Sequence, residues 1–253
     1  MLRVRYRSES GVHWGQLDGG RIRRLAGLLG QPTGESDMLS DVTLLAPCEP
    51  RSIVCAGLNY RDHAAEMGLA PGDLPAQPGI FLKGLNSLNG PGDPIPYPSW
   101  TDELHFEGEL AVVIGREMNA TPIERALDHV LGYTCACDVT ARDKQRTDLQ
   151  WARAKSADGF CPVGPWLAVD IDPGALRLQT KVNGELRQDS NTCELIFSVP
   201  ELLSFISHFM TLRPGDLVLT GTPSGVGELK VGDEVEVSIE GIGSLLNVVE
   251  RRA

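Results

Sequence analysis

The run His105-Phe-Glu-Gly-Glu-Leu-Ala-Val-Val-Ile-Gly115 sets two acids at the head of an apolar stretch. A strand has a side-chain period of two, so Glu107 and Glu109 point to one face, continued by Ala111 and Val113. Two carboxylates beside an apolar face repel, and one must hold a proton unless a cation lies between them. A hard divalent cation, Mg2+ or Ca2+, suits carboxylate oxygens. The bland alternative is a solvated acidic face. Asp138 closes the strand-like stretch from Tyr133 and supplies a third acid. Three carboxylates around a divalent cation leave one negative charge. Arg142 and Lys155 follow closely enough to offset that charge and the charge of an anionic substrate. Otherwise Arg142 is a surface ion-pair partner and Lys155 is solvated.

His63 and Glu66 are three apart on a short predicted helix, and so share its face. A Glu beside a His holds its tautomer and raises its basicity, which suits a general base acting on water or a carbon acid. An exposed helical ion pair is the other reading. Farther on, Leu217-Val-Leu-Thr-Gly-Thr-Pro-Ser-Gly-Val-Gly227 is a strand running into a glycine-rich turn. Its amides and Thr222 suit a carboxylate. It lacks the Lys-Ser/Thr of a phosphate loop and opens no helix, which argues against nucleotide binding. Thr222 also breaks the Gly-x-Ser-x-Gly pattern around Ser224, so no nucleophile elbow is expected.

Elements must position these groups. Asn59 to Met67 reads as a short helix, with Asn59 as its cap and Gly68 at its end. Strands are predicted at Ser52 to Ala56, Gly79 to Lys83, Glu107 to Gly115, Gly132 to Val139, Leu176 to Val182, Asp216 to Thr220 and Glu234 to Ile239. Pro122 to Val130 and Val199 to Phe209 read as helices. The Gly/Pro-rich stretch 68–79 is either a surface connection or a mobile lid. Leu2, Val4 and Tyr6 alternate with Arg3, Arg5 and Arg7, the pattern of a half-buried strand, and Trp14 to Leu17 follows as a second. We divide the chain into a small N-terminal β domain, residues 1–48, and a larger domain, residues 49–253. Strands outnumber helices without strand–helix alternation, which predicts a β-rich α+β roll.

Composition narrows the function. The 253 residues carry 23 Lys and Arg against 34 Asp and Glu, a net charge of −11. Such a chain, with no basic stripe, is a poor ligand for nucleic-acid phosphates or an anionic membrane. Its longest apolar run, Leu110 to Ile114, is far too short to span a bilayer, and no signal peptide is recognisable. The expectation is a soluble cytoplasmic protein with six reduced cysteines. Cys135 and Cys137 read as packing on one buried face, since a zinc site needs a second pair. The 28 glycines and 17 prolines come without repeats and read as tight turns between short strands.

With these elements in order, the chain resembles the fumarylacetoacetate hydrolase family over about residues 50–250. The matching stretches are Gly57-Leu-Asn-Tyr-Arg-Asp-His-Ala64, Phe81-Leu-Lys83, Glu107-Gly-Glu109, Asp138-Val-Thr-Ala-Arg142, Lys155-Ser156 and Thr220-Gly-Thr-Pro-x-Gly-Val-Gly227. The resemblance implies a mixed β-sheet roll and a homodimer. It implies Mg2+, Mn2+ or Ca2+ on Glu107, Glu109 and Asp138, a general base at His63 and its orienting acid at Glu66. Arg142, Gln145, Lys155, Thr222 and Lys83 fall at positions of substrate contact or catalysis. The segments Val182 to Gln188, Leu195 to Pro200 and Phe209 to Asp216 look like the bacterial branch acting on 2-hydroxyhepta-2,4-diene-1,7-dioate and its carboxylated precursor in aromatic catabolism.

The expected partner is therefore a small 2-oxo or enol acid, with metal and His63 serving isomerisation, decarboxylation or C–C hydrolysis. Acylpyruvate-type hydrolysis and oxaloacetate decarboxylation are alternatives within that chemistry. A relative that binds metal and an organic acid without turnover is the alternative of another class.

Overall fold

The computed structural model describes residues 1–252. Its largest sheet has twelve strands. In spatial order, ten of them run Pro32–Met38, Arg21–Leu25, Gly11–Asp18, Leu2–Ser8, Cys161–Ala168, Val130–Cys137, Gly108–Ile114, Leu217–Leu219, Ile53–Gly57 and Gly79–Lys83. Neighbours along this path are antiparallel except Leu217–Leu219 and Ile53–Gly57, which are parallel. A five-stranded sheet packs against it, ordered Glu185–Asn191, Arg177–Val182, Glu234–Ile239, Gly243–Arg251 and Ile95–Tyr97. Thr140–Ala141, Leu104–Phe106 and Gly227–Leu229 form a small third sheet. The fold is thus a β-rich α+β roll with mixed sheets. The N-terminal strands join the large sheet directly, Leu2 pairing with Ala168. No helix among the described residues is long and apolar enough to cross a membrane.

The Gly108–Ile114 strand shows why the site lies where it does. It is buried on both faces. Leu110, Val112 and Ile114 enter the main core with Leu178, Val237 and Leu245 of the second sheet and Leu202, Leu203 and Ile206 of a helix. Ala111 and Val113 enter a second cluster with Ile53, Cys55, Cys161, Leu217 and Leu219. Each Leu, Ile or Val among them contributes about 1.5–3 kcal/mol when fully buried. Glu109 has the parity of Ala111 and Val113, so its carboxylate is carried to the end of the second cluster. Ala136 of the neighbouring strand lies in that same cluster, and Asp138 follows it with the same parity. Cys135 and Cys137 share the main core.

Several boundaries differ from expectation for physical reasons. Asn59 does not cap a helix. Its side chain donates to Thr220 O at 2.8 Å and Phe197 O at 3.1 Å and accepts from Phe197 N at 2.8 Å. The helix runs Arg61–Glu66, and its N-cap Tyr60 makes no side-chain cap bond. Gly68 does take a left-handed φ of +83° beyond its end. The stretch expected as a helix over Pro122 to Val130 is helical only over Ile123–Ala126, then tightens over Leu127–His129. His129 O accepts from Gly115 N at 2.7 Å, which draws the chain into the sheet from Val130. The Val199–Ser207 helix starts with a reciprocal capping box between Ser198 and Glu201. The strands Cys161–Ala168, Glu185–Asn191 and Gly243–Arg251 and the short helices Arg142–Thr147 and Ala152–Lys155 were not expected.

Candidate active site

Glu107, Glu109 and Asp138 converge, each offering a carboxylate oxygen within 4.8 Å of the others, and all three are buried. Three cations meet them. Lys155 Nζ donates to Glu107 Oε2 at 2.7 Å and Asp138 Oδ2 at 2.6 Å. Lys83 Nζ donates to Asp138 Oδ1 at 2.5 Å. Arg142 Nη2 donates to Glu107 Oε1 at 2.5 Å, and its Nη1 donates to Gln145 Oε1 at 2.5 Å. Both lysines are buried, so burial without these carboxylates would be prohibitive.

The two glutamates differ in charge state. Burial works to raise Glu107, but the adjacent Lys155 and Arg142 charges outweigh it and hold Glu107 well below the usual carboxylate range. Burial pushes Glu109 well above that range, and the Asp138 and Glu107 charges push the same way. Only one of its oxygens is engaged, accepting from Gly221 N at 2.6 Å. Lys155 is opposed by its burial, yet the Asp138 and Glu107 charges raise it and keep it an ammonium.

This donor set fits a hard divalent cation. It consists of oxygens alone, and Glu109, with no salt-bridge partner among the described residues, is pushed toward its protonated form by burial and the neighbouring acids. A cation there removes the reason for the proton. The Tyr60 hydroxyl is fully buried beside this region and has no partner among the described residues. Burial raises it.

A second group stands on the Arg61–Glu66 helix. His63 Nδ1 lies 2.9 Å from Glu66 Oε2. A carboxylate accepts, so Nδ1 carries the hydrogen and Nε2 is left as the basic nitrogen. Glu66 Oε1 accepts from Gly225 N at 3.0 Å. The His63 side chain is largely covered and Glu66 is about half-exposed.

The glycine-rich loop joins the two groups. Gly221 N bonds Glu109, Thr222 Oγ1 donates to Gly108 O at 2.8 Å, and Gly225 N bonds Glu66. Gly221 has φ +102° and passes so close to Asn59 that a Cβ would lie 2.8 Å from the Asn59 Cβ. The structure therefore gathers Glu107, Glu109, Asp138, Lys83, Lys155, Arg142 and Gln145 in one cluster. It sets His63 and Glu66 apart on the helix, with Thr222 on the loop between.

Sequence reading missed Gln188. This buried residue accepts from Gly108 N at 2.9 Å and donates to Thr222 Oγ1 and Pro223 O, each at 2.9 Å. Its strand was signalled by Asn183-Gly184, whose φ values of +51° and +79° are those of a tight hairpin turn. Nothing in Glu185-Leu-Arg-Gln-Asp-Ser-Asn191 distinguishes Gln188 from its exposed neighbours.

The chain is similar to known proteins over its whole length. A family profile described as Fumarylacetoacetate (FAA) hydrolase C-terminal matches residues 52–250, and one described as Rv2993c-like, N-terminal matches residues 1–47. The solved structure of 2-hydroxyhepta-2,4-diene-1,7-dioate isomerase from Mycobacterium marinum is similar throughout, with a TM-score of 0.92 and 44% identity, covering 100% of this chain and 99% of that one. Oxaloacetate tautomerase YisK of Bacillus subtilis is 44% identical over 83% of this chain and 74% of its own length. Fumarylpyruvate hydrolase from Pseudomonas aeruginosa, solved in complex with Mn2+ and pyruvate, has a TM-score of 0.76 and 36% identity over 81% of this chain and 91% of that one. The strand order, the buried acid triad and these matches together place the chain in the fumarylacetoacetate hydrolase family.

Proposed function

We propose that this protein is a divalent-metal-dependent enzyme that acts on small 2-oxo or enol dicarboxylic acids. Its preferred reading is 2-hydroxyhepta-2,4-diene-1,7-dioate isomerase or the related decarboxylase of aromatic catabolism. The carrying observation is the charge arrangement of the buried cluster. Three carboxylates face three cations, so a bound divalent ion would leave two positive charges for a dianion to neutralise. A 2-oxo dicarboxylate is such a dianion.

Glu107, Glu109 and Asp138 would hold Mg2+, with Mn2+ or Ca2+ as alternatives. Bound there, the ion would supply Lewis acidity to the site. Arg142, steadied by Gln145, and Lys83 keep the site positive toward an incoming anion. Lys155 uses two of its three donors on Glu107 and Asp138, leaving one for a substrate oxygen. His63, with Nδ1 fixed by Glu66, takes the proton at Nε2 and returns it to another carbon or oxygen. Thr222 lies on the loop beside the acids and is assigned to substrate binding. We assign residues 1–48 to a small N-terminal domain and 49–253 to the catalytic domain. We further assign a cytoplasmic homodimer.

A second reading is keto–enol tautomerisation of oxaloacetate, favoured by the similarity to the Bacillus subtilis tautomerase. It needs the same proton transfer and neither water attack nor loss of a carboxylate. C–C hydrolysis of acylpyruvates would need His63 to activate water instead. The deciding experiment incubates Mg2+- or Mn2+-loaded protein with the hydroxydienedioate, oxaloacetate and fumarylpyruvate under ultraviolet detection. Turnover of the hydroxydienedioate at the highest kcat/KM supports the preferred reading. Faster tautomerisation of oxaloacetate replaces it with the second. Inactivity toward all three with metal bound favours a binding protein.

A further inference from the structure

We propose that Gln188 is a positioning residue that sets the two glutamates of the acid triad by holding the glycine between them. The inference rests on the metal reading above. Gly108 separates Glu107 from Glu109, so its backbone direction decides where both carboxylates point. The Leu217–Leu219 strand pairs with this strand as far as Ala111, and Thr220 adds a last bond to Leu110 O. Beyond that point Gln188 and Thr222 take the place of a neighbouring strand. Gln188 Oε1 accepts from Gly108 N, and Thr222 Oγ1 donates to Gly108 O. Gln188 Nε2 then closes the ring by donating to Thr222 Oγ1.

The burial of Gln188 has no other rationale on its strand. Glu185, Leu186, Arg187 and Asp189 around it are exposed, while Gln188 is fully buried. Burying a primary amide is unfavourable unless its donors and acceptor are all matched. Here the acceptor goes to Gly108 and the donors to Thr222 and Pro223. The cross-strand partner of Gln188 is Thr180, whose Oγ1 would lie 2.1 Å from a Cβ at position 108. The hairpin thus holds the backbone of Gly108 from one side and denies it a side chain. The same loop supplies Gly221 N to Glu109. One amide side chain therefore coordinates both the spacing of the glutamates and the loop that bonds one of them.

The test is Mn2+ binding by calorimetry to the full chain, without substrate. Gln188→Leu and Thr222→Val should each weaken Mn2+ affinity by about ten- to a hundred-fold, as expected for partners that orient metal ligands. The double variant should be little weaker than either single one, because each breaks the same ring. Leu178→Ala, a buried position on the same hairpin, should lower thermal stability without changing Mn2+ affinity. Wild-type Mn2+ affinity in Gln188→Leu overturns the proposal, as does an equal loss in Leu178→Ala. If Gln188→Leu does not fold, Thr222→Val carries the test, because it keeps the shape and removes the same link. Glu109→Gln separates the two levels. If it too keeps wild-type Mn2+ affinity, the metal reading falls; if it alone loses Mn2+, only the role of Gln188 falls.

Discussion

Lys155 and Asp138 form a buried ion pair at 2.6 Å, with both side chains almost wholly removed from solvent. Lys155 also holds Glu107, so one ammonium pairs with two members of the acid triad. Lys155→Met would leave both with less compensation in a low-dielectric site. Removing one partner of a buried pair costs about 3–5 kcal/mol. The variant should therefore melt well below wild type without metal, and saturating Mg2+ should recover part of the loss. Calorimetric melting with and without Mg2+ checks this.

Glu109→Gln should behave in the opposite way. The glutamine amide resembles the protonated acid that the metal-free fold favours, and it can still accept from Gly221 N. Metal-free stability should equal or exceed wild type while Mn2+ affinity is lost. Melting and calorimetric titration on the same preparation give both readouts.

The raised Glu109 also makes stability depend on pH. Its stabilising contribution is full below the unfolded value, near 4.5, and is lost as pH rises through the higher folded value. Glu107 has the opposite sign, its contribution lying above the unfolded value and fading as pH falls. Metal-free protein should accordingly lose stability as pH rises above the usual carboxylate range, and Glu109→Gln should flatten that slope. Wild-type Mg2+ uptake should release a proton, read from binding heats in buffers of different ionisation enthalpy.

His63→Asn should lower kcat by a hundred-fold or more, since general base catalysis contributes about 10²–10⁴-fold. Mn2+ affinity should stay at the wild-type value, because His63 is bonded to Glu66 and not to the acid triad. Glu66→Gln should lower kcat by less and also loosen the glycine loop, since Glu66 accepts from Gly225 N. Kinetics and Mn2+ titration together distinguish the two variants.

Gly108→Ala tests the close approach at the triad. The new Cβ would meet Thr180 Oγ1 at 2.1 Å, and overpacking of this kind costs about 1–3 kcal/mol. Both melting temperature and Mn2+ affinity should fall, and Thr180→Ala in the same chain should restore part of each.

Much of the site was legible in the chain because it follows from local periodicity. The period of two put Glu107 and Glu109 on one face with Ala111 and Val113, and the period near three and a half put His63 beside Glu66. The strands at Gly79–Lys83 and Glu234–Ile239 lie where the sequence reading expected them. Local pattern carries no information about partners far along the chain. It assigned Asn59 to a helix cap, whereas that side chain bonds residues 138 and 161 positions away. It extended a helix to Val130, where pairing with the sheet prevails.

What the sequence by itself determined was the ligand types, the pairing of base and orienting acid, and the strand-rich class. These depend on residue chemistry and spacing within a dozen positions. Only the tertiary structure decided that Lys83 joins Arg142 and Lys155 against the acids, that Glu109 alone of the triad has no salt-bridge partner among the described residues, and that Gln188 holds Gly108. Each of these joins segments from different strands, and burial turns the contacts into large energies. Desolvation and pairing are properties of the assembled roll, so the charge state of each carboxylate exists only once the sheets have closed around it.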